Sequence, residues 1–289
     1  MRTYLDCIPC FFKQALEAAR LITGDENIHK QLMNDLSRLV PEFSLGSSPP
    51  EMSRHIHHAM EKYFGPADLY KGIKEKSNLM ALELYPQLKE KVAKAQDRVL
   101  TAIEIAIAGN VIDYAAKNTL NIEEEIEKLL NGMSAALNPQ SEDYRNFQED
   151  LAAAKTIVYL ADNAGELYFD LPLVKWMRQF TRVTYVVKPS PVQNDLTLED
   201  LGRTGLEGEF GKVISTGVAS PGIVFSSASA QFKQEFKSAD LVLAKGMGHY
   251  EALSELPPEG RFFYCLMAKC KPVAQSLGVP LNSYVAMLQ

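Results

Sequence analysis

The feature that most constrains this 289-residue chain is a change of period near Lys155. Beyond it, five short runs rich in β-branched and aromatic residues follow one another: "KTIVYLA", "RVTYVV", "KVIST", "DLVLA" and "RFFYCLM". Helix-like stretches such as "GELYFDLPLVKWMRQF" and "SASAQFKQEF" lie between them. Strands that alternate with helices imply βαβ units and a mostly parallel sheet. Before Lys155 the period is helical. In "CIPCFFKQALEAARLI", Ile8, Phe11, Phe12, Ala15, Leu16 and Ala19 fall on one stripe, with Pro9 near the start and Gly24 past the end. Similar stretches run over residues 28–40, 50–63, 67–85 and 97–108. "SSPP" (47–50) reads as a turn, and "NIEEEIEKLLNG" as a helix with an Asn start, a Gly stop and an acidic face. The expected organisation is a mainly helical domain over residues 1–150 that covers the site, then an α/β/α core over 151–289.

Composition narrows the function. A hydrophobic fraction of 46% and a charged fraction of 23% suffice for a soluble core. The net charge of −6 argues against a nucleic-acid partner, which needs basic stripes. No stretch approaches the ~20 apolar residues of a membrane span, and the N-terminus has no signal-peptide run, so a cytoplasmic location is expected. Four cysteines in a chain this long do not form a disulfide scaffold.

In parallel sheets, ligands sit beyond the carboxyl ends of the strands. The first run ends in Asp162-Asn163-Ala-Gly-Glu166. The second leads into "KPSPVQNDLTLED", with Lys188, Asn194 and Asp195. The third ends in the small-residue loop "STGVASPG", and the fourth in "AKGMGHYEAL", with Lys245, Gly246, Gly248, His249 and Glu251. A shared sheet would bring carboxylates, amides and two lysines to one edge. Asp162, Asn163 and Asp195 would supply oxygen ligands to a hard cation such as Mg or Mn, with positions open for water and substrate. Lys188 and Lys245 are point charges suited to phosphate, and Gly165, Gly246 and Gly248 let backbone N–H groups approach it. The competing reading is local: Asp and Asn after strands are common as turn residues and caps, and Asp195 is a candidate cap for "LTLEDL". There is no G-x-G-x-x-G, no P-loop and no G-x-S-x-G. D-N-A stands where a haloacid dehalogenase needs D-x-D.

These segments resemble the damage-control phosphatase family, a metal-dependent group once catalogued as a domain of unknown function. The resemblance is carried by "ADNAGELYFDLPL", "KPSPVQNDLTLEDL", "LAKGMGHYEAL", "AGNVIDY" (108–114) and "CIPCFFKQALEAAR". The N-terminal C-x-x-C is similar to that of the prokaryotic branch. The resemblance implies a Rossmann-like α/β/α core with a helical domain attached. It implies that Asp162, Asn163 and Asp195 bind the metal, with Glu166 at an acidic position beside them. It also implies that Lys245 meets the phosphate and that Asn110 and Asp113 face the site from the helical part. Many relatives carry Asn where this chain has His249.

The expected activity is hydrolysis of small phosphomonoesters, sugar phosphates or damaged and side-product metabolites, with Mg, Mn, Ni or Co as cofactor. Asp113 or Glu166 would assist proton transfer. Two readings from other classes stay open. One is a metal-stapled nucleotide- or cofactor-binding module without turnover; the other, with less support, is a methyltransferase. Cys7-x-x-Cys10 and the Cys265/Cys270 pair would form a zinc site if the fold joined them; otherwise they are structural. His55 and His58 share a helical face and read as solvated surface. Trp176, Phe169, Val174 and Phe180 read as the buried side of the first crossover helix. Nothing in the chain sets an oligomeric state.

Overall fold

The computed structural model describes residues 1–110, 142–257 and 260–289. Five helices come first: α1 (Cys7–Ile22), α2 (Glu26–Leu39), α3 (Pro49–Phe64), α4 (Lys71–Lys94) and α5 (Arg98–Ala108). Their starts are written in the side chains. Asp25 accepts from the Asn27 N–H, Asp97 from those of Val99 and Leu100, and Ser48 with Glu51 forms a capping box over α3. Pro49 and Pro50 occupy the first helical positions of α3, so half of "SSPP" is helix. Helix α4 starts at Lys71 and continues through Pro86 to Lys94, beyond the expected stop at residue 85. The acidic helix expected over "NIEEEIEKLL" lies outside the described residues, as does Asp113.

After α6 (Glu142–Ala153) the chain builds one sheet: β1 (Thr156–Leu160), α7 (Glu166–Met177), β2 (Arg182–Val187), α8 (Leu198–Thr204), β3 (Lys212–Ser215), α9 (Ala230–Ser238), β4 (Leu241–Lys245), α10 (Gly246–Leu253), β5 (Phe262–Met267), α11 (Lys271–Leu277) and β6 (Tyr284–Leu288). The strand order is β3-β2-β1-β4-β5-β6. Strands β1 to β5 are parallel, and β6 runs antiparallel on β5. The order reverses direction between β1 and β4, the point at which sheets of this kind place a ligand.

Alternate strand residues go to opposite cores, as a period of two requires. Ile157, Tyr159, Val183, Tyr185, Leu243 and Cys265 pack on one side with α4, α5, α6 and α7. Val158, Leu160, Val186, Ala244, Tyr264 and Leu266 pack on the other with α9, α10 and α11. A third core joins α1, α2 and α3 through Phe11, Ala15, Leu32, Leu36, Ile56 and Met60. The helical half therefore divides: α1–α3 hold their own core, while α4–α6 cover the sheet. Phe169 and Val174 are fully buried, but Phe180 is 68% exposed. It lies past the end of α7, where helical spacing no longer sets its direction, and its ring tilts onto Trp176. His55 and His58 are exposed, as expected.

Candidate active site

The segment after β2 is laced onto the end of β1. The Leu196 N–H donates to the Asp162 carbonyl, Ala164 N–H to the Asn194 carbonyl and Lys188 N–H to the Leu196 carbonyl. Asn163 and Asp195 face each other across an isolated antiparallel bridge. Thr197, not Asp195, caps α8, in a box with Asp200. Asp195 is thus free of the capping role that its position in the sequence invited.

Side chains converge on this seam. Asn163 Nδ2 donates to Asp162 Oδ2 at 2.9 Å and to Glu166 Oε1 at 2.7 Å, and Asn163 Oδ1 accepts from Asn194 Nδ2 at 2.5 Å. Asn110, just past α5, donates to both Glu166 oxygens at 2.9 Å. Lys245 Nζ donates to Glu166 Oε2 and Asp170 Oδ1, each at 2.8 Å. Lys188 Nζ donates to the Gly222 carbonyl and stands 3.5 Å from Asp195 Oδ2. That oxygen is buried and accepts no hydrogen bond.

Gly246 is required where it sits. Its φ is +76°, and a Cβ there would lie 2.0 Å from Asp162 Oδ2. Gly222 (φ +62°) likewise meets the Gly248 carbonyl backbone to backbone, where a Cβ would stand 2.1 Å from the oxygen. Helices α7 and α10 both begin at this edge; at α7 the Gly165, Glu166 and Tyr168 N–H groups donate to Asn78 Oδ1 and to the Asn163 and Gly165 carbonyls, and the start of α10 is the end suited to an anion.

The electrostatics are those of crowded, desolvated charge. Burial, then Glu166 and Asp195, push the Asp162 carboxyl well above its usual range. Burial raises Asp195 to about 6, against the pull of Lys188. Lys188 is lowered by burial. Burial would lower Lys245 too, but the Asp170 and Glu166 carboxylates overcome it and hold the ammonium charged. Burial also pushes Asp170 up. Yet Asp170 accepts from Tyr159 at 2.7 Å, Tyr185 at 2.9 Å and Lys245, and only the ionised pair satisfies all three donors. His249 is fully buried, its Nδ1 at 2.7 Å from the Lys245 carbonyl, and burial followed by Lys188 lowers it to about 3.

Asp162, Asn163, Glu166, Lys188, Asp195, Lys245, Gly246 and Asn110 are thus brought to one place. Asp170 belongs with them and was missed as a site residue. Its signal was present: Glu166 and Asp170 are two carboxylates at i, i+4 on a helix that is largely apolar apart from Lys175 in its last turn. Lys74 was missed too. It is 1% exposed and pairs with Asp68 and Asp200, fixing α4 against the start of α8.

A doubly wound sheet with acids, amides and lysines at its switch point defines the class: an α/β protein whose charged groups gather beyond the carboxyl ends of its strands. Comparison with known proteins gives the family. Residues 3–285 match the damage-control phosphatase ARMT1-like domain. The chain is 33% identical to the damage-control phosphatase PH1575 of Pyrococcus horikoshii, over 99% of this chain and 98% of that one. It is 30% identical to a damage-control phosphatase of Archaeoglobus fulgidus, covering 97% and 96%. The crystal structure of the Pyrococcus horikoshii protein, described as a DUF89 family protein, superposes with a TM-score of 0.86 over 100% of this chain and 99% of that one. The chain belongs to the damage-control phosphatase family.

Proposed function

We propose that the protein is a divalent-metal-dependent phosphatase acting on small phosphomonoesters, either sugar phosphates or damaged and side-product phosphometabolites. The observation that carries this reading is the buried Asp195 Oδ2, which accepts no hydrogen bond and is faced by the Lys188 ammonium at 3.5 Å, while Asp162 and Glu166 crowd the same seam. One ammonium at that distance, shared with the Gly222 carbonyl, leaves the negative charge of these carboxylates under-compensated, and a divalent cation would balance it. The donor set fits one. Asp162, Asn163 and Asp195 offer only oxygens, which suit Mg or Mn and accept Co or Ni. When bound, the cation would polarise a phosphoryl oxygen and acidify a water.

The remaining roles belong to the chain's own groups. Lys245 spends two of its three N–H donors on Glu166 and Asp170, which aims the third. That ammonium, Lys188 and the first-turn N–H groups of α10 would hold the negative charge of a transferring phosphoryl group. Glu166 accepts from Asn110, Asn163 and Lys245. With its oxygens so engaged it would orient Asn163 and Lys245 rather than take a proton. Of the two carboxylates singled out for proton transfer, that leaves Asp113. Asn110 acts through Glu166 and is a positioning residue.

The test is hydrolysis of p-nitrophenyl phosphate and a panel of sugar phosphates after EDTA treatment, with Mg, Mn, Co and Ni restored one at a time. Turnover should return with a cation and fall by roughly 10²-fold or more in Asp162→Ala and Asp195→Ala. Absence of turnover on every substrate and cation would sink the phosphatase reading and favour a binding module.

A further inference from the structure

Three of the four cysteines line a cavity on the outer side of the strand-end loops, bordered also by Gln193, Pro221 and Gly248. Cys7 and Cys10 lie in the first turns of α1, and Cys270 is the residue from which α11 begins. Glu251 lies near the end of α10. These segments are remote in sequence, yet their four side chains line one cavity of about 180 Å³, with Met247 and Gln14 beside them. Cys265 does not join them. It packs in the core on the α5–α7 side of the sheet, whereas Cys270 packs on the opposite side. A four-thiol site is therefore excluded by topology, and a three-thiol site is left.

Two chemistries suit a C-x-x-C at a helix start, and the surroundings separate them. Thiol–disulfide exchange needs a stabilised thiolate beside positive charge. Here burial raises Cys7 and Cys270, the latter to about 11, and Glu251 adds to the rise at both and at the exposed Cys10. Burial in turn raises Glu251 to about 7. Thiols beside a carboxylate that makes each of them harder to ionise are poor nucleophiles. They form a good set for a cation that displaces their protons.

We infer that Cys7, Cys10 and Cys270, completed by Glu251, form a second metal site for a soft or borderline divalent cation such as zinc. Thiolate sulfur selects such ions over the hard ones suited to the oxygen donors of Asp162 and Asp195. Each thiol releases its proton to solvent as its sulfur–metal bond forms. Among the described residues no three such groups already stand gathered for an ion. Cys10 is exposed and Glu251 partly so, and the set would close by rotation of these two side chains. The site would tie α1 to α10 and α11, where the Met1 amino group already donates to the Glu251 carbonyl and Ser254 Oγ, both at 2.6 Å.

The test separates the two sites. The Asp162→Ala/Asp195→Ala chain, which lacks the oxygen donors, is loaded with zinc, desalted and assayed for metal. One retained zinc per chain is expected, and its loss in the same chain carrying Cys7→Ser. The unsubstituted chain is alkylated with iodoacetamide, with and without zinc, and mapped by mass spectrometry. Zinc should protect Cys7, Cys10 and Cys270 and leave Cys265 unchanged. Cobalt in place of zinc should give the near-ultraviolet thiolate-to-cobalt band. Equal alkylation with and without zinc, no cobalt band, a Cys7–Cys10 disulfide, or iron with acid-labile sulfide would each overturn the inference. The alkylation and cobalt arms decide even if the serine variant fails to fold.

Discussion

At the scale of single residues, the site depends on contacts that leave no spare volume. Gly246→Ala would place a methyl group 2.0 Å from Asp162 Oδ2 at a φ of +76°. The expected outcome is a folded protein by circular dichroism with kcat/KM lowered by roughly 10²-fold, because a displacement of about 1 Å at a reacting centre costs that much. His249 carries a pH signature. Its folded pKa, about 3, is depressed below the unfolded value, so the folded state binds fewer protons and stability rises with pH across that interval. The contribution is fully present above about pH 6.5 and is lost as pH falls toward 3. His249→Asn should remove this acid sensitivity. Urea denaturation at pH 7 and pH 5 should show the wild type losing about 2 kcal/mol more than the variant between the two.

At the scale of elements, the start of α8 is held by more than its own cap. Thr197 and Asp200 form the capping box, and Asp200 also pairs with Lys74 of α4, itself tied to Asp68 at 2.9 Å. This triad anchors the segment that delivers Asp195. Lys74→Ala strands Asp200, 6% exposed, without its cation. A destabilisation of about 3–5 kcal/mol is expected in chemical denaturation, the usual cost of breaking a buried pair from one side. A variant within 1 kcal/mol of wild type would show that Asp200 is served by its cap alone. The sequence invites a cap at Asp195, and the structure places it two residues later at Thr197, with the acid of "TLED" closing the box. Lys74 was not legible, because its partners are 6 residues before it and 126 after it (200 − 74), and no local pattern signals that pairing.

At the scale of the whole molecule, the helical half reaches the sheet edge through few polar contacts. Asn78 of α4 accepts the Gly165 N–H at 2.7 Å, at the turn between β1 and α7. Asn110 reaches Glu166, and Gln193 donates to Gln14 of α1 at 3.2 Å. Asn78→Ala would leave the Gly165 N–H without its acceptor beside Asp162 and Asn163. The expected effect is about tenfold in kcat/KM with the fold retained, in line with ~1–3 kcal/mol for a stranded buried donor. No helix among the described residues is long and apolar enough to cross a membrane.

The sequence by itself determined what is local or periodic. The alternation after Lys155 specified a mostly parallel α/β sheet, because short β-branched and aromatic runs separated by helical stretches leave few other solutions. Strand-end acids, amides and lysines were legible because parallel strands all deliver their carboxyl ends to one edge. The antiparallel β6 was not, since "YVAML" is a half-buried edge strand whose pairing is set by β5. Tertiary structure alone decided which side of the sheet each residue serves. It sent Cys265 and Cys270, five positions apart, to opposite cores and joined Cys270 to Cys7 and Cys10. It turned Asp170 toward Lys245. Those outcomes depend on strand order and helix placement, which arise from packing over long sequence separations and are written in no short stretch of the chain.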